Sequence, residues 1–187
     1  NVDIIYQDFL EADVINDIKK YNYNKLYIVA NLPYYITTPI IINVIEKKLN
    51  VDKMVVMVQK EVGDRFKANV GTKDYNSLSI YLNYYFNVKK IMDISRNIFI
   101  PKPNVDSIVV EFTKKENSYN LKNEEIFFKL IRDSFTQKRK TIRNNLKNYD
   151  LNIIEEILKK HNQDLNTRAE QITIETFVEI ANNLTTI

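Results

Sequence analysis

The sequence predicts a mixed α/β domain followed by a small, purely helical domain. Up to about Thr113, short β-branched runs alternate with helical patterns, which is typical of an α/β layer built on a largely parallel sheet. From about Ser118 onward, apolar residues recur only at helical spacing. The polar stretch 114–122 separates the two patterns, so we place the domains at residues 1–114 and 115–187.

Strands and helices follow from local patterns. β-branched and aromatic runs predict strands at residues 2–6, 25–30, 53–59, 89–94 and 106–113, and longer apolar patterns predict helices at 38–49 and 77–86. The last two strands are joined by a proline-bearing loop and are expected to form an antiparallel pair. In the helical part, apolar spacing predicts helices over 126–135, 153–158 and 174–184, and Thr173 is the expected N-cap of the last one.

Composition excludes several classes of protein. The chain has no cysteine, which rules out disulfides and thiolate metal sites. Its only histidine, His161, lies in a polar helical stretch and is interpreted as a surface residue, so no metal site is predicted. No apolar run approaches the roughly 20 residues of a membrane span, and the start lacks the pattern of a signal peptide. We therefore expect a cytoplasmic protein without membrane contact.

Charge is concentrated in one short stretch of the helical part. Between Lys129 and Lys147 lie seven basic residues and one acid, Asp133, for a net charge of +6. Because the whole chain carries +3, the remainder carries −3. Such a patch on a mildly acidic body is typical of a protein that binds a polyanion, although a solvated helix face is the alternative.

The sequence Asn31-Leu32-Pro33-Tyr34 directly follows a predicted strand, where ligands bind in open α/β sheets. The Asn31 amide oxygen and the Pro33 carbonyl are suited to accept the hydrogens of an exocyclic adenine amine, which frees the nitrogen lone pair for attack on a methyl group. Tyr34 offers a flat face on which an extruded base can stack. An ordinary strand-to-helix turn is the alternative interpretation of these four residues alone.

Several blocks of the sequence resemble the ribosomal RNA small-subunit adenine N6,N6-dimethyltransferases. They occur in the order of that family and cover nearly the whole chain: 31–40 (NLPYYITTPI), 57–66 (MVQKEVGDRF), 71–79 (GTKDYNSLS), 99–107 (FIPKPNVDS), 134–146 (SFTQKRKTIRNNL) and 168–170 (RAE).

The resemblance implies a partial class I (Rossmann-like) methyltransferase sheet and a helical RNA-binding domain. It also implies transfer of two methyl groups from S-adenosylmethionine to each of two adjacent adenosines near the 3′ end of small-subunit ribosomal RNA. Asn31, Pro33, Tyr34 and Phe99 would be catalytic, with Phe99 closing the second face of the base pocket. Asp8 and Asn31 would contact the cofactor. The expected RNA-binding residues are Lys138, Arg139, Lys140 and Arg143, which contact phosphates and so give salt-dependent affinity.

The sequence departs from the family at the cofactor site. A site of this class begins with a glycine-rich turn after the first strand, whereas Gly63 and Gly71 are the only glycines of the chain and both follow Asn31. We therefore expect the N-terminal region of the family to be missing, the strand at 25–30 to be an open edge, and the first dozen residues to be displaced, disordered or paired with another chain. This chain alone is expected to bind S-adenosylmethionine very weakly, to methylate nothing measurable and to be a monomer whose edge strand is open to pairing.

Three alternatives remain open at this point. A macrolide-resistance-type 23S ribosomal RNA adenine methyltransferase shares the fold and a similar loop, although the block at 134–146 favours the small-subunit enzyme. A mitochondrial transcription factor of the same lineage is the second. A non-catalytic RNA-binding or ribosome-assembly module is the third.

Overall fold

The computed structural model describes residues 2–116 and 119–184. Along this part of the chain the elements are α1 (Val14–Lys19), β1 (Tyr27–Asn31), α2 (Thr37–Glu46), β2 (Lys53–Gln59), α3 (Lys60–Phe66), α4 (Ser77–Tyr85), β3 (Phe86–Ile94), β4 (Ser107–Lys114), α5 (Glu124–Ser134), α6 (Ile142–Asn145), α7 (Leu151–Lys160) and α8 (Ile174–Asn183). Among these described helices, none is long and apolar enough to cross a membrane.

The chain forms two compact units that do not follow chain order. The first unit runs to Gly63 and resumes at Lys89–Lys114, and the second holds Asp64–Val88 and resumes at Lys115. The return of the chain to the second unit coincides with the expected boundary at residue 114. A functional division into 1–114 and 115–187 stays a prediction, because residues 64–88 pack with the helical segment.

The four described strands form one sheet in the order β1-β2-β4-β3. β1 and β2 are parallel with Asn31 opposite Met57, whereas β2 and β4 are antiparallel with Gln59 opposite Ser107. The expectation of a largely parallel sheet is therefore wrong for these strands. The physical reason is the connection into β4: residues 95–106 carry only a three-residue 3₁₀ turn, Arg96–Ile98, and lack the crossover helix that a parallel return requires.

The predicted strand at residues 2–6 is not formed. These residues lie in no strand, and the side chains of Val2, Ile4 and Tyr6 are exposed. A β-strand needs a neighbour to satisfy its backbone groups, and the outer edge of β1 pairs with no described strand. As expected, β1 is an edge strand, with 81% of the Val29 surface open to solvent.

Alternation along β2 and β4 builds the core of the first unit. Met54, Val56 and Val58 of β2 are buried while their neighbours are half-exposed, which is the period-two pattern of a strand with one packed face. The helix α2 adds Ile40, Ile41, Val44 and Ile45 to the buried apolar set. The sheet thus holds the carboxyl end of β1 and the start of β4 at fixed positions.

Gly63 allows α3 to lie closely against β4. A Cβ atom at Gly63 would lie 2.3 Å from Ile108 Cδ1 and 3.1 Å from Val110 Cγ2, both of which belong to buried residues. We expect Gly63→Ala to lower the free energy of unfolding by about 1–3 kcal/mol through overpacking, as measured by urea denaturation. Gly63→Ala combined with Ile108→Val, which removes the nearest methyl group, should recover part of the loss. An unchanged urea midpoint for the single variant would contradict this close packing.

The second unit is a helical core with well-defined helix starts. Asn123 begins α5 by accepting hydrogen bonds from the backbone N–H groups of Glu125 and Ile126 at 2.8 and 3.2 Å. Thr173 caps α8 by accepting from Thr176 N–H at 3.2 Å, so that predicted cap is confirmed. The core is built from fully or almost fully buried apolar residues, among them Phe127, Leu130, Ile131, Ile154, Leu158 and Phe177.

Candidate functional site

The loop after β1 is shaped by its own backbone. Asn31 is the last residue of β1, and α2 begins at Thr37. Between them the Pro33 carbonyl accepts hydrogen bonds from Ile36 N–H at 3.2 Å and from the Thr37 hydroxyl at 3.1 Å. The loop therefore turns tightly from strand into helix, and it leaves Asn31 and Pro33 exposed at the carboxyl edge of the sheet.

Tyr34 is tied to the neighbouring part of the sheet. Its hydroxyl lies 2.7 Å from the hydroxyl of Ser107, the first residue of β4, which is fully buried. This hydrogen bond fixes the hydroxyl end of the half-buried Tyr34 side chain, while the Tyr34 backbone belongs to the loop after β1. The orientation of the ring is consequently set by tertiary structure, as a stacking surface requires.

We expect Tyr34→Phe to keep the ring but to destabilise the first unit by about 1–3 kcal/mol, because it leaves the buried Ser107 hydroxyl without that partner. Urea denaturation of Tyr34→Phe, Ser107→Ala and the double variant forms a thermodynamic cycle. A double variant less destabilised than the sum of the two single variants is the expected result. Strict additivity would show that the contact contributes nothing.

The opposite wall of the site comes from the loop between β3 and β4. Asp106 accepts from Arg96 N–H at 2.9 Å, and the Arg96 guanidinium donates to the Asn104 carbonyl at 2.8 Å. These contacts close the loop on itself, and the Ile100–Pro101 peptide bond inside it is cis. The closed loop presents the half-buried Phe99 towards the residues that follow β1.

Together the two loops enclose an open pocket of about 320 Å³ within the first unit. It is lined by residues 31–34 and by Met57, Phe99, Pro101 and Pro103. The structure thus brings together all four residues predicted to be catalytic, Asn31, Pro33, Tyr34 and Phe99. Flat apolar walls with an amide at one end suit a planar ligand that carries a polar edge.

Sequence reasoning missed part of this lining. Met57 faces the pocket because β2 pairs with β1 in the register that places it opposite Asn31. Pro101 and Pro103 belong to the block at 99–107, and their position beside Asn31 depends on the closure of their loop. A signal for Met57 exists in the sequence, since it lies near the end of the strand after Asn31, but it requires knowledge of the register.

The geometry bears on the role predicted for Pro33. Its carbonyl oxygen has two lone pairs, and the Ile36 and Thr37 contacts engage both. An additional hydrogen from a ligand amine would compete with the turn. The neighbouring carbonyl of Leu32, which also belongs to a residue of the pocket lining, takes part in neither contact. The direct role of Pro33 stays a prediction, and its clear contribution is to form the turn.

Asp8, the predicted cofactor contact, does not line this pocket. Its carboxylate accepts from Leu10 N–H at 2.8 Å, and its carbonyl accepts from Ala12 N–H at 3.0 Å. Asp8 therefore stabilises its own exposed turn in this structure, and its contact with a cofactor stays a prediction.

The predicted RNA-binding residues form one exposed group in the second unit, which we term the cationic segment: Lys138, Arg139, Lys140 and Arg143. All four are exposed, and none forms an ion pair within the described chain. Nearby, Ile142 and Leu146 are fully buried, so they anchor the segment to the helical core. The expected arrangement of apolar anchors and free cations is present, although RNA binding itself stays a prediction.

The lone histidine, His161, neither lines this pocket nor belongs to the cationic segment. The His161 ring lies 2.9 Å from the carboxylate of Glu179, and this hydrogen bond is the main cause that lowers the pKa of Glu179. The contact ties the end of α7 to α8 at the surface of the second unit. The interpretation of His161 as a surface residue agrees with this position.

Similarity to known proteins supports the resemblance to the ribosomal RNA adenine dimethyltransferases. A model of the family described as "Ribosomal RNA adenine dimethylase" matches residues 1–186. The chain is 45% identical to the ribosomal RNA small subunit methyltransferase A of Bacillus pumilus (strain SAFR-032), covering 98% of this chain and 66% of the relative. It is 48% identical to the protein of that name from Staphylococcus haemolyticus (strain JCSC1435), covering 80% and 51%. The chain thus spans at most about two thirds of the length of these relatives.

Solved structures show the same fold. A dimethyladenosine transferase from Plasmodium falciparum superposes with a TM-score of 0.68 at 28% identity, covering 86% of this chain and 67% of that one. The 23S rRNA methyltransferase ErmE superposes with a TM-score of 0.67 at 19% identity, covering 97% and 71%, which supports the fold alone. The predicted class I methyltransferase fold is confirmed. The chain belongs to the ribosomal RNA adenine dimethylase family.

Proposed function

We propose that this chain forms the acceptor part of an S-adenosylmethionine-dependent ribosomal RNA adenine-N6 dimethyltransferase. Its substrates are two adjacent adenosines near the 3′ end of small-subunit ribosomal RNA, and it acts in the cytoplasm on ribosomal precursors. One observation carries the proposal: the pocket that places the Asn31 amide beside the Tyr34 and Phe99 side chains. The names of the relatives, all of the small-subunit type, support the choice of substrate.

The residues of the pocket act by position and electrostatics. The Asn31 amide oxygen accepts a hydrogen of the adenine amine, and a carbonyl of the same loop accepts the second one. The Pro33 carbonyl already accepts from Ile36 and Thr37, whereas the Leu32 carbonyl takes part in neither contact. With both hydrogens held, the nitrogen becomes pyramidal and its lone pair is free to attack. Tyr34 and Phe99 hold the extruded base between flat faces. The acceptors are neutral, so the site orients the amine without removing its proton before attack.

S-adenosylmethionine supplies the electrophilic methyl group in this family. The described residues do not form a complete site for it. Gly63 lies in α3 against Ile108, and Gly71 lies in a turn of the second unit, so neither belongs to a turn that cradles the cofactor after a strand. Asn31 and the free oxygen of Asp8 are the contacts that this chain would add. We therefore assign it the acceptor side of the reaction.

The test is a chimera that carries the N-terminal segment of the Bacillus pumilus relative ahead of Asn1. We expect it to dimethylate two adenosines of small ribosomal subunits from a strain that lacks the modification, as read by mass spectrometry of nuclease fragments. The 187-residue chain alone should transfer no methyl group.

Other outcomes would overturn the proposal. Methylation of 23S ribosomal RNA instead would favour the macrolide-resistance type. A chimera that binds S-adenosylmethionine and small subunits but transfers no methyl group would favour a non-catalytic assembly module.

A further inference from the structure

A second cavity lies in the helical unit, beside the cationic segment. It measures about 360 Å³, which falls in the usual range of small-ligand sites, about 300–1,000 Å³. Its lining includes Gln137, which directly precedes Lys138, and Asn144, which directly follows Arg143. A ligand that runs along the cationic segment would therefore reach the mouth of this cavity.

The lining is rich in carboxamides. Four amide side chains contribute to it: Gln137, Asn144, Asn145 and Asn148. Each carboxamide is a planar group that offers both donors and acceptors, as does the edge of a nucleobase. The amide of Asn145 donates to the carbonyls of Ser134 and Gln137, so this side chain helps fix the shape of the cavity.

The lining of the cavity carries two ammonium groups, those of Lys129 and Lys147, and one carboxylate, that of Asp133. The Lys129 ammonium lies 3.6 Å from the Asp133 carboxylate and 5.3 Å from the centre of the Tyr149 ring, so its charge is already compensated. A phosphate placed here would lie close to Asp133. Lys147 adds an exposed ammonium to the lining, and four further cations lie in the cationic segment, where the phosphates of an RNA chain would bind.

One carboxylate oxygen of Asp133 is open to accept a further hydrogen bond, which favours bases that carry an amino group. The Tyr149 hydroxyl and the Lys129 ammonium both contact Oδ2 of Asp133, which leaves Oδ1 without either contact. Burial and this hydrogen bond raise the pKa of Tyr149, so its hydroxyl stays protonated and remains a donor. A carboxylate oxygen of this kind accepts from the exocyclic amine of cytosine and similarly from other amino-bearing bases. Uracil offers no such amine.

We propose that this cavity binds one unstacked, amino-bearing nucleobase of the RNA whose phosphates contact the cationic segment. The base lies among the carboxamides of Gln137, Asn144 and Asn148, and Asp133 accepts from its exocyclic amine. This inference rests on the proposed RNA-binding function and deepens it, because it adds base recognition to a surface otherwise assigned to phosphates. It gives the helical unit a means to select RNA by sequence at a single position.

The test uses the full 187-residue chain, with cytidine and uridine as a matched pair of probes. Carboxamide NH₂ signals in ¹⁵N-correlated NMR spectra report directly on the lining. We expect cytidine to shift the signals of the lining amides with an affinity about fivefold or more above that of uridine. Ribose 5-phosphate should leave these signals in place. Equal shifts with cytidine and uridine, shifts caused by ribose 5-phosphate, or no shift with any nucleoside would each overturn the proposal.

A variant of Asp133 distinguishes recognition of the base by this carboxylate from non-specific binding of nucleosides. Asp133→Asn is nearly isosteric and keeps an acceptor for the Tyr149 hydroxyl, and it should reduce the preference for cytidine over uridine to less than about twofold. Glu155→Gln makes the same chemical change on α7, outside the cavity lining, and should keep the full preference. If both variants keep the preference of the parent chain for cytidine over uridine, Asp133 does not recognise the base.

The outcomes also separate this inference from the proposed function. If nucleosides fail to bind while small subunits bind and the chimera methylates them, only the cavity assignment is wrong. If nucleosides bind as expected while the chimera methylates no RNA, the proposed function is wrong and the cavity remains a base site.

Discussion

Replacing Asn31 by alanine is expected to lower the methylation rate of the chimera by about 100- to 1,000-fold, the usual effect of deleting one preorganised polar group at a reacting centre. Asn31 lies at the end of β1 with its side chain exposed to the pocket. Without its amide oxygen, one hydrogen of the adenine amine loses its acceptor, and the lone pair is no longer held ready for attack. The measurement is single-turnover methyl transfer to small subunits at saturating enzyme.

A matched control shows that the effect is local. Asn97 is an exposed asparagine of the first unit that does not line the pocket, and Asn97→Ala should retain the parent rate. The two variants should also unfold at the same urea concentration as the parent, because Asn31 is a surface residue. The expected loss is far larger than about threefold. A methylation rate for Asn31→Ala within about threefold of the parent rate would therefore rule out this role for the amide.

Reversing three charges of the cationic segment is expected to reduce binding to small ribosomal subunits strongly and to weaken its dependence on salt. Each phosphate contact contributes about 0.7–0.9 to the slope of log K against log salt concentration, so Lys138→Glu/Arg139→Glu/Lys140→Glu should lower that slope by about 2 or more. These side chains are exposed and form no ion pair in the described chain, so the fold should be preserved. The measurement is filter binding between 50 and roughly 200 mM salt.

The control reverses three exposed lysines elsewhere in the second unit, Lys73, Lys159 and Lys160, and thus changes the net charge equally. It should leave the salt slope nearly unchanged, because only charges at the contact surface displace counterions. Equal losses in both triple variants would show that overall charge, rather than the cationic segment, determines binding.

Local sequence was sufficient where an element depends on its own residues. Thr173 was predicted to cap the last helix and does so, because a cap requires only a hydroxyl three residues before a free N–H group. The strand at 53–59 has the predicted bounds, because every second side chain of this strand is buried on one face of the sheet. Other strand ends shifted by a few residues: β3 begins at Phe86 instead of residue 89, because the chain passes directly from α4 into the strand.

Local sequence failed where an element depends on a partner. Residues 2–6 have the composition of a strand but form none, since no described strand lies at the outer edge of β1. The sheet is mixed because the chain returns to β4 without a crossover helix, a property of the connection and not of the strand itself.

For this protein the sequence alone was sufficient to identify the motif at Asn31, its place at the end of a strand, and the cationic segment. It was also sufficient to identify the family. Each of these depends on short stretches of contiguous residues. Tertiary structure decided what surrounds that motif. It brought Phe99, 68 positions further along the chain, to the same pocket, tied Tyr34 to Ser107, and engaged the Pro33 carbonyl in the turn. It also formed the carboxamide-lined cavity from two stretches of the helical unit, residues 129–137 and 144–149. Such sites are set by strand register and helix packing, which act between residues distant in sequence.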